Sequence, residues 1–174
     1  MLSGNLLEST IKRIDTSLGL KGFPHITVSG KWQTTSDGDW TGGFWVGLLW
    51  SCYQLTRDEK YLRSAYQWLK PLETRKREKN FDLGFLFHSS FVSGYQITKD
   101  ESLKKVALEA ADTLSNLFHE KAGFIYNVFH KPENIGVDES TIWGDYYFVK
   151  ALNKVVLNAS EKRQDYFNSQ RDIR

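Results

Sequence analysis

Apolar positions recur through residues 2–118 at three- and four-residue steps, the period of an α-helix. In residues 2–18, Leu6, Leu7, Ile11, Ile14 and Leu18 predict an amphipathic helix, ended by Gly19 and Gly22 and kept from resuming by Pro24. Residues 23–39, rich in Gly, Ser, Thr and Asp, read as a loop. Residues 40–55 are apolar on nearly every side and predict a helix buried all round. Gly43, Gly47 and Ser51 fall on one face of that helix, where small side chains let another backbone come close. A one-sided stripe follows, with Tyr61, Leu62, Ala65, Trp68, Leu69 and Leu72 opposite Arg57, Lys60, Arg63 and Gln67. It predicts a half-exposed helix that Thr56-Arg-Asp-Glu59 caps as a capping box and that Pro71 kinks or ends.

The same pair of patterns then returns. Asp82-Leu-Gly-Phe-Leu-Phe87, with Phe91, Val92 and Tyr95, is again apolar on most sides. Thr98-Lys-Asp-Glu101 repeats the box, and Leu103, Val106, Ala107, Ala110, Ala111, Leu114 and Phe118 repeat the stripe. Tyr53-Gln-Leu-Thr-Arg-Asp-Glu59 aligns with Tyr95-Gln-Ile-Thr-Lys-Asp-Glu101 at an offset of 42 residues (95 − 53). A period of that size marks stacked units. Each unit is a buried helix followed by a half-buried one, so stacking gives an inner and an outer layer: an all-α toroid or solenoid. Residues 122–138, with Gly123, Pro132 and Gly136, read as loop or short extended chain. Residues 140–156 form a third inner-type helix, about six helices in all. Residues 1–157 then make one domain, and 158–174 a polar tail without sustained periodicity, a frayed or disordered end.

Charge and composition narrow the function. A net charge of +2 argues against a nucleic-acid partner, and the Arg75-Lys-Arg-Glu-Lys79 run reads as a solvated helix end. No stretch is long and apolar enough to span a membrane, and no apolar run follows an N-terminal basic segment. The lone Cys52, inside an apolar helix, reads as an inert buried thiol in a reducing compartment. The expectation is a soluble, cytoplasmic protein. An aromatic content of 14% is high and points to a large aromatic core or a sugar-stacking pocket. His25, His88, His119 and His130 share no ligand spacing, which argues against a metal site.

Several motifs resemble the unsaturated glucuronyl hydrolases of glycoside hydrolase family 88. They are Phe23-Pro-His-Ile26, Gly30-Lys-Trp32, Asp37-Gly-Asp-Trp-Thr-Gly-Gly-Phe-Trp45, Asp82-Leu-Gly-Phe85 and Gly136-Val-Asp-Glu-Ser-Thr-Ile-Trp-Gly-Asp-Tyr146. The resemblance implies a partial (α/α)6 barrel and a substrate class, oligosaccharides ending in a 4,5-unsaturated uronic acid. It implies aspartate-catalysed hydration of the double bond, with no cofactor. The stretch to about Ile125 resembles the family's N-terminal third, and the stretch from about Tyr126 its C-terminal end. The second catalytic aspartate and the arginine segment that meets the uronate belong to the middle, which finds no counterpart. Where many relatives carry His before the first aspartate, this chain has Phe81.

By the resemblance Asp82 is the catalytic acid, whereas residue type alone makes it a helix N-cap. Burial would keep its proton and the helix N-terminus would remove it. Trp40, opening an inner helix, is the sugar platform, with core filler as the plain alternative. Phe44, one turn on, suits the core or the substrate; Ser140 and Trp143 are further substrate-binding candidates through the C-terminal motif. Asp37 and Asp39 read as turn and cap residues. With one catalytic carboxylate placed, weak or no turnover is expected. The alternative is a non-catalytic α/α-repeat module that binds carbohydrate or protein, self-associating through the open side of its stack.

Overall fold

The computed structural model describes residues 4–119 and 124–125. Helix α1 (Gly4–Ser17) leads to a hairpin, β1 (Phe23–Val28) and β2 (Lys31–Thr35), then to α2 (Gly42–Thr56) and α3 (Glu59–Glu73). A second helical hairpin follows. Its first arm is one rod: α4 (Leu83–Phe87), a π-helical turn (His88–Val92) and α5 (Ser93–Thr98). Its second arm is α6 (Glu101–Ser115), after which β3 (Phe118–His119) pairs antiparallel with β4 (Phe124–Ile125). No described helix is long and apolar enough to cross a membrane.

The predicted alternation of layers is present. Helices α3 and α6 each bury one stripe: Tyr61, Ala65, Trp68, Leu69 and Leu72 on the first, Leu103, Val106, Ala107, Ala110 and Leu114 on the second. Between them α2 packs directly on the α4–π–α5 rod. The glycine stripe explains how closely. A Cβ on Gly43 would overlap the carbonyl oxygens of Phe85 and Leu86, and one on Gly47 would stand 3.1 Å from the Ser89 Cβ. Ser51, third on the stripe, is exposed and turns its hydroxyl back to the Gly47 carbonyl.

The π turn was not legible as such; the pattern predicts one continuous helix. Widening a helical turn disturbs its backbone pairing, and here side chains supply partners. The Trp50 indole N–H donates to the Ser90 carbonyl at 2.8 Å, and the Ser90 hydroxyl donates to the Leu86 carbonyl. Both residues are buried.

Three expectations need correction. Residues 23–39 are not all loop. Val28 pairs with Lys31 around Ser29-Gly30, whose φ values of 49° and 76° suit a tight type I′ hairpin turn. Phe23 roots the hairpin in the core, its ring 4.6 Å from Trp68, while Ile26, Val28 and Trp32 stand exposed. Second, the boxes do not cap. Thr56 and Thr98 close the preceding helices through the Cys52 and Gly94 carbonyls, and the N-caps are Asp58 and Asp100, accepting from the amides of Lys60 and Ser102. Third, α2 is not buried all round. Phe44, Leu48 and Leu55 form an exposed stripe on it, Leu55 at 59%. Phe44 borders the packed Gly43 side, its ring 5.7 Å from that of Phe85, while Leu48 and Leu55 stand exposed further round the helix. Pro71 falls in the last turn of α3, where its missing N–H costs one bond before the helix ends at Glu73.

Candidate active site

The candidate residues gather where α2 and α4 begin. Asp82 occupies the N-cap position of α4, and its amide donates to Asn80 Oδ1 at 2.9 Å. Its carboxyl makes no capping bond, so the capping role read beside catalysis is not observed. It is half-buried, and burial pushes its pKa up; the charge of Asp39 pushes the same way and Arg75 opposes. Burial thus leaves a carboxyl more ready to hold a proton than an ordinary aspartate.

Trp40 lies just before α2, against a residue of α4. The indole is 45% exposed, not core filler. Its ring lies edge-on to Phe85, 6.2 Å between centroids, and to Phe44 at 6.4 Å; Phe44 and Phe85 are 5.7 Å apart. Phe85 is three residues beyond Asp82, hence on the same helical face. Phe85 thus brings the first turn of α4, which Asp82 precedes, against the indole. Phe44 is 37% exposed and flanks the indole.

Four neighbours escaped the sequence reading as site residues. Asp39 is not a cap; it sits at φ 44° and its carboxylate accepts from the Trp40 amide at 2.7 Å. Asp37 does serve the turn, accepting from the Asp39 amide at 3.1 Å. His25, from the hairpin, is within 2.9 Å of the Thr41 hydroxyl through Nδ1 and 3.8 Å of Asp39 through Nε2. Phe85 completes the aromatic wall. Arg75, read as part of a solvated basic run, is only 6% exposed. Its spacing held the signal, since Arg75 continues the buried stripe three residues past Leu72.

An exposed indole beside a proton-retaining carboxyl suits an acid acting on a stacked sugar ring. Residues 11–172 match the sequence profile of Glycosyl Hydrolase Family 88.

The chain belongs to Glycosyl Hydrolase Family 88.

Family-88 members are glycoside hydrolases. Over 121 residues the chain is 38% identical to the unsaturated glucuronyl hydrolase of Bacillus sp. (strain GL1), covering 66% of this chain and 32% of that protein. It is 29% identical over 129 residues to an unsaturated chondroitin disaccharide hydrolase of Streptococcus pneumoniae, covering 70% and 33%. It therefore spans about a third of the length of these curated relatives. The solved Bacillus sp. GL1 enzyme superimposes with a TM-score of 0.62 at 34% identity, over 76% of this chain and 35% of that one. A heparin-specific unsaturated glucuronyl hydrolase gives 0.74 at 21% identity, over 94% and 44%, a likeness of fold. The helices described above are thus part of an (α/α)6 barrel. Ser140, Trp143, the third inner-type helix and the polar tail lie outside the described residues.

Proposed function

We propose that this family-88 chain carries the acid-donating part of a site for 4,5-unsaturated uronic acid at the non-reducing end of an oligosaccharide. Trp40 stacks on the sugar, with Phe44 and Phe85 as its wall. Asp82 gives its proton to the double bond of the vinyl ether. Water adds to the oxocarbenium-like carbon, and the hemiketal so formed collapses to release the saccharide. One observation carries the reading. The Asp82 carboxyl is spared from capping and half-buried with a raised pKa, at the start of the helix whose Phe85 meets an exposed indole. The uncharged acid form is what protonation of an alkene requires.

The names of the relatives support the substrate class: unsaturated glucuronyl and unsaturated chondroitin disaccharide hydrolases. Ser140 and Trp143 are assigned to the same substrate through the C-terminal motif. We place the chain in the cytoplasm, a setting that suits a sequence with one cysteine and no internal disulfide partner for it. Acid–base work on this bond calls for a second carboxyl, so the chain alone is expected to bind an unsaturated uronyl disaccharide without measurable turnover. Titration followed by tryptophan fluorescence tests this. Binding that Trp40→Ala abolishes supports the reading; no binding by the native chain overturns it. Steady loss of the ultraviolet absorbance of the double bond, stopped by Asp82→Asn, would overturn the expectation of inactivity.

A second reading rests on the exposed Leu48 and Leu55 of α2. These would seat a second copy of the chain. Sedimentation is expected to show a dimer that Leu48→Lys dissociates, and a native monomer at all concentrations counts against it.

A further inference from the structure

We propose that Arg75 is the positioning residue of this site, a guanidinium clamp that holds the Asp37–Trp40 turn, and with it the indole, in register with Asp82. The inference rests on the reading of Trp40 as platform and Asp82 as acid.

The turn does not hold itself. Gly38 and Asp39 both have positive φ, 87° and 44°. For Asp39, which carries a Cβ, that conformation costs about 1 kcal/mol. Its internal bonds join near neighbours, Asp39 N–H to Asp37 Oδ1 and Trp40 N–H to Asp39 Oδ1, and shape the turn without fixing it in space. Arg75 fixes it. One nitrogen, Nη1, donates to the carbonyls of both Asp37 (3.3 Å) and Asp39 (2.5 Å). The other edge of the fork is anchored at home, Nε to the Glu78 carboxylate at 2.9 and 3.0 Å and Nη2 at 2.8 Å. A planar fork with fixed donor directions can do both at once; an ammonium cannot. Because the turn is gripped by its carbonyls, its direction is set whatever side chains it bears. The Arg75 side chain thus joins the segment after α3, which leads to Asp82, to the segment before α2, which carries Trp40. A guanidinium this buried, with every contact on one turn or one anchor, is built for placement.

The test uses the full chain and the tryptophan indole N–H resonances, with Trp40 assigned through Trp40→Phe. In Arg75→Lys the Trp40 resonance is expected to shift or broaden, while that of Trp50, bonded to Ser90, stays in place. Affinity for an unsaturated uronyl disaccharide falls about tenfold or more. Glu78→Gln keeps the guanidinium and loosens its anchor, so it moves the Trp40 resonance the same way by less, and decides the matter if Arg75→Lys does not fold. A Trp40 resonance unchanged in both variants overturns the inference and leaves the sugar reading standing. A resonance that responds in a chain with no affinity for the disaccharide supports the clamp and sinks the sugar reading instead.

Discussion

Arg57 and Lys99 stand 42 residues apart and do the same thing. Each takes a left-handed backbone, φ 59° and 61°, and each donates its N–H at 2.8 Å to the carbonyl of a tyrosine, Tyr53 or Tyr95. The next residue but one opens the following helix, and the aspartate between caps it. The repeat in the sequence is therefore a repeat of hydrogen bonds. Losing such a cap costs about 1 kcal/mol, the expected effect of Asp58→Ala. Asp100 also accepts from the Tyr66 hydroxyl at 2.9 Å and from Ser102 Oγ, so Asp100→Ala is expected to cost about 2 kcal/mol. Urea unfolding checks both. Larger losses in Thr56→Ala and Thr98→Ala would restore the threonine boxes.

The left-handed residues invite the opposite change. A side chain at such a position is strained by about 1 kcal/mol, which glycine relieves at some cost in chain entropy. Arg57→Gly and Lys99→Gly are each expected to stabilise the chain by about 0.5 kcal/mol. A drop in melting temperature in either would mean that the exposed basic side chain contributes more than the strain removes.

Helix positions and layers were legible because burial writes itself as periodicity. The Tyr61–Leu72 and Leu103–Leu114 stripes mark which face turns inward, and Gly43 with Gly47 marks where α2 meets its neighbour. The hairpin was less legible. Ser29-Gly30 is a turn signal, but the strands beside it are mostly exposed and lack an apolar alternation. The π turn has no local pattern at all, because it depends on Trp50, 40 residues from Ser90. At the site, Asp82 and Trp40 were found through motif resemblance. Arg75 is hidden because a run of charges reads as a solvated helix end, and Asp39 because an aspartate before a helix reads as a turn or cap residue; a buried guanidinium and a strained turn need each other to be seen.

The approach of α2 to α4 sets a sharp steric limit. A methyl on Gly43 meets two backbone carbonyls, which cannot rotate away, so Gly43→Ala is expected to cost about 3 kcal/mol. At Gly47 the added methyl meets Ser89, whose backbone oxygen stands 3.2 Å away, and alanine also favours the helix by about 1 kcal/mol. Gly47→Ala is therefore expected to be much milder. Equal losses at the two positions would mean that the rods do not meet at Gly43.

Helix α1 is tied to α3 by a polar contact at the edge of the core. The buried Tyr61 hydroxyl donates to Asp15 Oδ1 at 2.7 Å, and Lys60 Nζ lies 3.1 Å from the same oxygen. The Tyr61 bond, then that from Lys60, holds the Asp15 pKa below its usual value, and burial pushes the phenol up to about 12. For a depressed carboxyl the stabilisation is present above the unfolded pKa and is lost as pH falls through the folded one. Tyr61→Phe is expected to cost about 1.5 kcal/mol at pH 7, the contribution of a hydrogen bond to a charged group. The loss shrinks as pH falls below the ordinary aspartate range and on through the lowered Asp15 value. A cost that stays constant as pH falls from 7 through the titration of Asp15 would assign the effect to packing.

Asp82 runs the other way. Burial first, then the charge of Asp39, raises its pKa against the pull of Arg75. The folded chain thus binds this proton more readily than the unfolded chain. The group favours folding most below the ordinary aspartate range, and that advantage drains away as pH rises through the raised value. Asp82→Asn keeps a neutral group of the same shape at every pH. The variant is therefore expected to melt above the native chain at pH 7, with the gap closing below about pH 4. Asp39→Asn, by removing a like charge, is expected to bring the carboxyl resonance of Asp82 to a lower midpoint in a carbon-13 titration. An Asp82→Asn chain that melts lower at pH 7 would show that the ionised carboxylate is held by attractive partners. Asp82 would then be poorly suited to give up a proton, and the acid role assigned to it would fail with that result.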